Sequence, residues 1–439
     1  MVSPQRRREI IDALRRGTVP QRNLDSFAVG LERFQDSIDR ELEIVRSGGS
    51  VFKAVRGEYG SGKTFFARWI QDRAKQRGFA SAEVQISETE TPFHKLETVY
   101  RRLMERLSTN DTEQGAFRSI IDAWFYTLEE DVLAGGGNVS ATDKDLLLRR
   151  TDELMESRLG AISQTAPMFA AALRGYRRAM SNGDTGSAEG ILAWLAAQPN
   201  VGAASKRTAG LKGEVDHFGA LSFLQGLLLV LRDSGYAGLV FVLDEVETLQ
   251  RVRGDVREKG LNAMRQLLDE VDAGRFPGLY LLITGTPSFY DSHQGIQRLP
   301  PLAQRMHVDF GTDPRFDNPR AVQIRLQGFD ISALVEVGSR IRDMFAEDSS
   351  FPERIKLLAD DQYLAKLARS LTGGLGGKVG IVPRIYLKKL VADILDRIDQ
   401  FADFNPQTHY KLTLQSSELT EIERNALAAA SVDEIELSL

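Results

Sequence analysis

One stretch decides the fold of this chain: Gly57-Glu58-Tyr59-Gly60-Ser61-Gly62-Lys63-Thr64. It fits the pattern G-x-x-x-x-G-K-[ST], and it stands between a strand-like run at 51–56 and a helix-like run at 65–70. Glycines at these positions let backbone N–H groups surround phosphate oxygens, and the N-terminus of the following helix adds a positive dipole. The context therefore favours a phosphate-binding loop over a chance match in a glycine-rich turn.

The loop predicts a nucleoside triphosphate, ATP, bound together with Mg²⁺. Lys63 is expected to reach the β- and γ-phosphates, and the hydroxyl of Thr64 is expected to ligate the metal. The predicted nucleotide-binding residues are those of the loop and the residue after it: Gly57, Glu58, Tyr59, Gly60, Ser61, Gly62, Lys63, Thr64 and Phe65.

A second motif follows the apolar run 239–243, which reads as a fully buried strand and ends in Asp244 and Glu245. Parallel strands deliver functional side chains at their carboxyl ends. We expect Asp244 to hold Mg²⁺ and Glu245 to polarise the water that attacks the γ-phosphate. An acidic pair here can also simply cap the next helix, but the phosphate-binding loop upstream disfavours that interpretation.

Composition sets the broad class of protein. The chain has 439 residues, 42% of them hydrophobic, so we expect two or three domains of a soluble globular protein. Its net charge of −5 excludes a uniformly basic nucleic-acid binder, although a local patch can still bind phosphates. The absence of cysteine excludes disulfides and thiolate metal sites. No signal sequence or membrane-spanning run is found, so we expect a cytoplasmic protein with no membrane partner.

The alternation of strand and helix patterns predicts an α/β fold, with a parallel sheet covered by helices on both sides. The predicted domains are an N-terminal basic helical segment (1–50), a nucleotide-binding core (51–110 and 215–315), a helical insertion (111–214), a helical lid (320–400) and a tail (401–439). Some insertion helices can alternatively belong to the core. We further expect a strand at 306–310, a flexible basic loop at 206–213 and a glycine-rich hinge at 373–378.

Arginines crowd the first predicted helix. Arg7, Arg8, Arg15 and Arg16 flank its apolar face. One interpretation is a solvated helix face, and the other is a surface that contacts DNA or a neighbouring subunit.

Together these features resemble the AAA+ class of P-loop ATPases, and within it the origin-recognition and replication-initiator branch. The strand 279–286 carries two threonines at its end, and a Pro-Arg pair begins the last lid helix. The resemblance implies a polar sensor at Thr284 or Thr286, where many of these proteins have asparagine. It also implies an arginine finger at Arg305, with Arg298 the weaker alternative, that acts on the neighbouring subunit of a homo-oligomer. By the same resemblance, Arg384 is a sensor 2 arginine that the lid brings to the nucleotide, and Val19 or Pro20 lies near the adenine.

Three phrases resemble a narrower family, the BREX-system ATP-binding proteins of the BrxD type, which belong to bacterial anti-phage defence clusters. They are Leu14-Arg15-Arg16-Gly17-Thr18-Val19-Pro20, Arg56 to Phe66 around the phosphate-binding loop, and Leu243-Asp244-Glu245-Val246-Glu247. The resemblance implies ATP binding, a helicase-like partner protein and a role in phage restriction.

We therefore expect an ATPase that couples ATP hydrolysis to conformational change on double-stranded DNA or on that partner. Two other functions stay open, namely a nucleotide-dependent scaffold with little turnover and a regulator that senses a signal through the insertion. A helicase motor is disfavoured, because the chain has no second core with its own nucleotide motifs.

Overall fold

The computed structural model of the protein describes residues 2–135, 143–374 and 382–413. Most of the predicted glycine-rich hinge and the acidic end of the tail lie outside these residues. The chain divides into two units that interleave along the sequence. The first comprises Met1–Ser37, Val55–Asp72 and Asp309–Leu439, and the second comprises Ile38–Ala54 and Arg73–Val308.

Five parallel strands form one sheet in the order β2-β3-β4-β1-β5. Their bounds are β1 (Val51–Arg56), β2 (Ala80–Gln85), β3 (Leu239–Asp244), β4 (Leu279–Gly285) and β5 (Gln323–Arg325). Every residue of β3 and β4 is buried, which explains why both strands read as continuous apolar runs. The α/β prediction is confirmed. The threonine-ended strand β4 lies between the strands that carry the two nucleotide motifs, as expected.

Most of the other described residues are helical. In chain order the helices are α1 (Pro4–Arg15), α2 (Glu32–Arg46), α3 (Lys63–Gln76), α4 (Leu96–Arg106), α5 (Phe117–Ala134), α6 (Lys144–Thr165), α7 (Pro167–Ser181), α8 (Thr185–Leu195), α9 (Ala203–Thr208), α10 (His217–Asp233), α11 (Gly254–Asp272), α12 (Pro287–Asp291), α13 (Pro300–Met306), α14 (Ile331–Asp348), α15 (Pro352–Leu358), α16 (Asp361–Gly374), α17 (Val382–Lys388), α18 (Asp396–Gln400) and α19 (Pro406–His409).

Two local predictions were wrong. The expected strand at 306–310 does not form, because α13 continues to Met306 and no strand among the described residues pairs with the run that follows. Part of the expected basic loop 206–213 is helical, since α9 includes Lys206 and Arg207. The end of the lid is helical throughout Val382–Gln400, with a π-helical segment, Lys389–Leu395, between α17 and α18.

In the first unit, the N-terminal helix α1 packs on the lid. Its buried face contacts α14, α17 and the π-helical segment. Arg7 forms ion pairs with Asp348 and with Glu347, and Arg15 donates two hydrogen bonds to the carboxylate of Asp396, at 2.6 and 2.9 Å. Arg7 and Arg15 are therefore not the freely solvated arginines that one interpretation of the sequence assumed.

In the second unit, the insertion helices α5 to α8 share one apolar core with α4, α10 and the sheet. Polar atoms of buried aromatic residues are satisfied within this core. The indole of Trp124 donates to Asp233 at 2.6 Å, and the hydroxyl of Tyr100 donates to the carbonyl of Leu195 at 3.1 Å. The insertion helices are thus part of the same hydrophobic core as α4, α10 and the sheet.

A buried charge lies in the strand that leads to the phosphate-binding loop. Lys53, in β1, is almost completely buried, and its ammonium lies 2.5 Å from a carboxylate oxygen of Glu41. The hydroxyl of Tyr280 donates to the other oxygen of that carboxylate at 2.6 Å. Two charges can remain in this apolar layer because each has a partner there.

We expect Lys53→Met to destabilise the protein by about 3–5 kcal/mol, because it leaves the carboxylate of Glu41 buried without its cation. The double variant Lys53→Met/Glu41→Met removes both charges and should recover most of that loss. Urea unfolding of the three proteins measures the effect. If the single variant is as stable as the wild type, the ion pair does not contribute as described.

Candidate nucleotide site

The phosphate-binding loop lies in the first unit, between the end of β1 at Arg56 and the start of α3 at Lys63. Gly60 and Gly62 have φ angles of 77° and 90°, which side chains rarely tolerate. A Cβ atom at Gly57 would lie 2.3 Å from the hydroxyl oxygen of Ser61. The glycines of the motif are therefore required by the path of the backbone.

Lys63 is held inside this loop. Its side chain is buried, and its ammonium donates to the carbonyls of Gly57 and Glu58 at 2.9 and 3.1 Å. The ring of Tyr59 lies 5.2 Å from the same nitrogen. A desolvated cation beside the N-terminus of α3 is a strong attractor for an anion.

A buried hydroxyl group in the same loop also fits a phosphate ligand. The hydroxyl oxygen of Ser61 is buried and has no hydrogen-bond partner among the described residues. A buried hydroxyl normally finds a partner, and a phosphate oxygen provides one. The cation, the hydroxyl and the helix N-terminus together fit a triphosphate.

The segment with Val19 and Pro20 lies along α3, the helix that begins in the loop. Arg68 donates to the carbonyl of Val19 at 2.9 Å, and Asp72, one turn later on α3, accepts from the backbone of Leu24 at 3.2 Å. Pro20 is buried. Of the two residues expected near the adenine, Val19 therefore contacts α3 directly.

Arg384 lies on α17, also in the first unit. The side chains of Arg384 and Lys388 lie close to Gly17, in the turn that ends α1. If Gly17 carried a Cβ atom, that atom would lie 3.5 Å from the guanidinium of Arg384 and 3.3 Å from the side chain of Lys388. Gly17 has a φ of 72°, so a larger residue would be strained as well as crowded. Gly17, the residue beside Arg384, is two positions before Val19 in the chain.

The acidic pair lies in the second unit, at the carboxyl end of β3. Asp244 is buried, and the backbone N–H of Glu245 donates to its carboxylate at 3.1 Å. Glu245 itself has a φ of 59°, a left-handed conformation that costs a residue with a side chain about 1–3 kcal/mol. Its carboxylate accepts a hydrogen bond from the amide of Gln85 at 2.8 Å.

The two sensor candidates differ in what they contact. The hydroxyl of Thr284 is fully buried and donates to the carboxylate of Asp244. It also accepts from the backbone N–H of Glu245 at 3.3 Å. Thr286 is also buried, but it stands at the N-cap of α12 and its side chain makes no capping hydrogen bond. Thr284 is thus the threonine that the fold brings to the acidic pair.

Both arginine-finger candidates make ion pairs within the second unit. The guanidinium of Arg305 lies 2.6 and 2.8 Å from the carboxylates of Asp269 and Asp272 on α11. Arg298 lies 3.4 Å from Glu258. Arg305 is about 38% exposed, so its partners hold it at the surface rather than in the core.

Gln85 is a neighbour of the acidic pair that no sequence motif indicates. It lies directly opposite Asp244 in the register between β2 and β3. Nothing near position 85 indicates this neighbour, because the pairing depends on a strand more than 150 residues later in the chain. β2 also carries the polar residues Ser81 and Glu83, so the polar character of Gln85 does not single it out in the sequence.

The sequence model of one protein family, described as BREX system ATP-binding protein BrxC/D, matches residues 2–414. A search of curated proteins finds no match. Among the described residues, no helix is long and apolar enough to cross a membrane.

Proposed function

Since the chain belongs to the family of BREX system ATP-binding proteins BrxC/D, we propose that it is a Mg²⁺-dependent ATPase of a BREX anti-phage defence system and, within the family, a protein of the BrxD type. The observation that carries this proposal is the buried ammonium of Lys63, held inside a glycine loop at the start of α3. We further propose that it acts in the cytoplasm, on double-stranded DNA or on a helicase-like partner of the same system.

The proposed roles follow from the chemistry of each side chain. Lys63 and the loop N–H groups bind the phosphates, and the residues proposed to hold Mg²⁺ are Thr64 and Asp244. When bound, the ion neutralises charge on the phosphates. Glu245 accepts a proton from the attacking water. One of its carboxylate oxygens accepts from Gln85, which fixes its orientation and leaves the other oxygen for the water.

The threonine contacts lead to a prediction that separates the two sensor candidates. Thr284→Val removes the hydroxyl that bonds Asp244, so we expect ATP turnover to fall about 10- to 100-fold through loss of a charge-assisted hydrogen bond. Thr286→Val is the matched control and should stay within about threefold of wild type. Steady-state phosphate release measures both. Equal losses in the two variants would remove the basis for choosing Thr284.

The arginines are proposed to complete the site in different ways. Arg384 closes on the nucleotide from its own lid, whereas Arg305 acts on the nucleotide of a neighbouring subunit in a homo-oligomer. Arg305 must then exchange its ion pairs with Asp269 and Asp272 for the phosphate. Ion pairs at the surface are weak enough for such an exchange, at about 0–1 kcal/mol each.

The experiment that tests this proposal is ATP turnover per subunit against protein concentration, with and without double-stranded DNA. A rate that climbs with concentration and collapses in Arg305→Ala supports a composite site between subunits. Arg298→Ala tests the alternative finger, since it removes a neighbouring arginine of similar exposure, and a collapse in that variant alone would assign the role to Arg298. A measurable rate that is independent of concentration and unchanged in Arg305→Ala would rule out the arginine finger.

A second candidate function is a nucleotide-dependent switch that binds ATP with little turnover. Two observations favour it: Arg305 is paired within its own chain, and the carboxylate of Glu245 is already engaged by Gln85. Tight ATP binding with a near-zero rate at every concentration would support the switch, and the search for a trigger should then move to the partner.

A further inference from the structure

A cluster of cations lies on the insertion. It consists of Arg178 on α7, Lys206 and Arg207 on α9, and Lys212 just after α9, and it is called the basic patch below. Between residues 171 and 213 the chain has six Lys or Arg residues and two Asp or Glu residues, although its net charge is −5. This segment is therefore a local reversal of the charge of the whole protein.

The patch is held in a fixed geometry. Helix α9 lies close against α7 and α8, since a Cβ atom at Gly175 would lie 2.2 Å from Ala209 and one at Gly190 would lie 2.2 Å from Ser205. After α9 the backbone turns back, with the N–H of Leu211 donating to the carbonyl of Lys206 at 2.8 Å. Leu211 is buried.

A hydrogen bond to Gly213 also fixes the C-terminal end of this turn. The indole of Trp194 donates to the carbonyl of Gly213 at 3.1 Å. The segment expected from its sequence to be a flexible loop is thus a short helix followed by an anchored turn. Its cations are displayed on a fixed support, which lowers the entropy lost when they bind a ligand.

The cations of the patch have no ion-pair partners among the described residues, in contrast to their neighbours. Arg174 and Arg177, on the same helix as Arg178, lie 2.8 Å from the carboxylates of Glu156 and Glu129. The fold therefore neutralises two of the three arginines of α7 and leaves Arg178 exposed, one turn after the point where α7 packs against the end of α9.

Two of the N-terminal arginines, the other candidate for a polyanion surface, are in the opposite situation, whereas Arg8 and Arg16 are exposed. Arg7 and Arg15 already bind acidic residues of the lid. To bind a phosphate, Arg7 or Arg15 would first have to break its ion pair with a carboxylate. The cations of the patch have no such ion pair to break among the described residues. Electrostatic binding to a nucleic-acid backbone therefore favours the patch over Arg7 and Arg15, and its four cations outnumber the two exposed arginines that remain, Arg8 and Arg16.

We propose that the basic patch binds the phosphate backbone of double-stranded DNA. The inference rests on the DNA-directed form of the proposed function and assigns a surface to it. Single-stranded binding is disfavoured, because such sites stack bases on exposed aromatic rings. The aromatic residues between 171 and 213, Tyr176 and Trp194, are both buried. A duplex needs only cations at its backbone.

The test is fluorescence anisotropy of a labelled DNA duplex of about 30 base pairs, titrated with the full-length protein at several salt concentrations. In the variant Arg178→Gln/Lys206→Gln/Arg207→Gln/Lys212→Gln we expect affinity to fall on the order of 10- to 100-fold. The slope of log affinity against log salt should become shallower by about 0.9 for each phosphate that the protein no longer neutralises. The same four positions changed to Glu should abolish binding. ATP affinity and thermal unfolding, measured on every protein, should match the wild type.

The matched control changes four exposed cations elsewhere in the second unit: Lys95→Gln/Arg251→Gln/Arg253→Gln/Lys259→Gln. It should bind DNA within threefold of wild type. If the patch variants bind DNA as the wild type does, the inference is wrong while the DNA-directed function stands. If the wild type binds ATP but no DNA, both the inference and that form of the function fail. Binding of polyglutamate in preference to DNA would also overturn the inference, and would indicate an acidic protein partner instead.

Discussion

Lys63→Ala should lose ATP affinity by about 100-fold or more, because it removes the charge that the loop holds for the phosphates. In the structure this ammonium is buried and donates to two carbonyls of its own loop, at 2.9 and 3.1 Å. A phosphate that enters the loop therefore meets a cation that is already desolvated and oriented, and an attraction of this kind is screened little by water. Isothermal titration with a slowly hydrolysed ATP analogue measures the loss.

Two further variants make this result interpretable. Lys63→Arg keeps the charge but not the compact ammonium, and we expect it to recover little affinity, because the guanidinium is larger and planar. Lys95→Ala removes an exposed lysine and should leave affinity unchanged. Thermal unfolding checks that the loop variants remain folded. ATP affinity within threefold of wild type in Lys63→Ala would contradict the assignment of the phosphate site.

Glu245→Gln should separate binding from hydrolysis. We expect ATP affinity to stay within threefold of wild type while turnover falls about 10²- to 10⁴-fold, the usual contribution of a general base. The substitution is nearly isosteric and retains an oxygen that can accept from Gln85, so the local geometry should survive. Single-turnover phosphate release, measured beside nucleotide affinity, tests both halves of the expectation.

The matched control for this variant is Glu88→Gln, an exposed carboxylate in the loop after β2. It should leave both measurements unchanged. Turnover in Glu245→Gln equal to an active wild type would remove Glu245 from the chemistry. A wild type that already shows no turnover at any concentration would instead favour the switch, since there would be no rate to lose.

The features that could be predicted from the sequence are local ones. The glycine loop, the apolar strand before Asp244 and the threonine-ended strand β4 can each be recognised within about ten residues, because buried parallel strands read as apolar runs. The choice between Thr284 and Thr286 could not be made that way. It depends on which hydroxyl faces the neighbouring strand β3, and only the folded sheet decides that.

The sequence predictions that failed also depend on contacts between residues far apart in the chain. The bond between Gln85 and Glu245 joins residues 160 positions apart, and no periodicity predicts it. The run 306–310 has the alternation of a strand, but none of the described strands lies beside it. The arginines of α1 looked available because their acidic partners, Asp348 and Asp396, lie more than 300 residues away. In each case the outcome depends on which residues the fold places next to a segment, and the local sequence does not contain that information.

The interleaving of the two units has a consequence for biosynthesis. The first two segments of the first unit, Met1–Ser37 and Val55–Asp72, emerge from the ribosome early, yet its last segment begins only at Asp309. The stretch Arg73–Val308 is contiguous and is synthesised entirely within that interval. Domains generally fold in the order of their synthesis. The nascent chain therefore carries an incomplete first unit, with the apolar face of α1 uncovered, until most of translation is over.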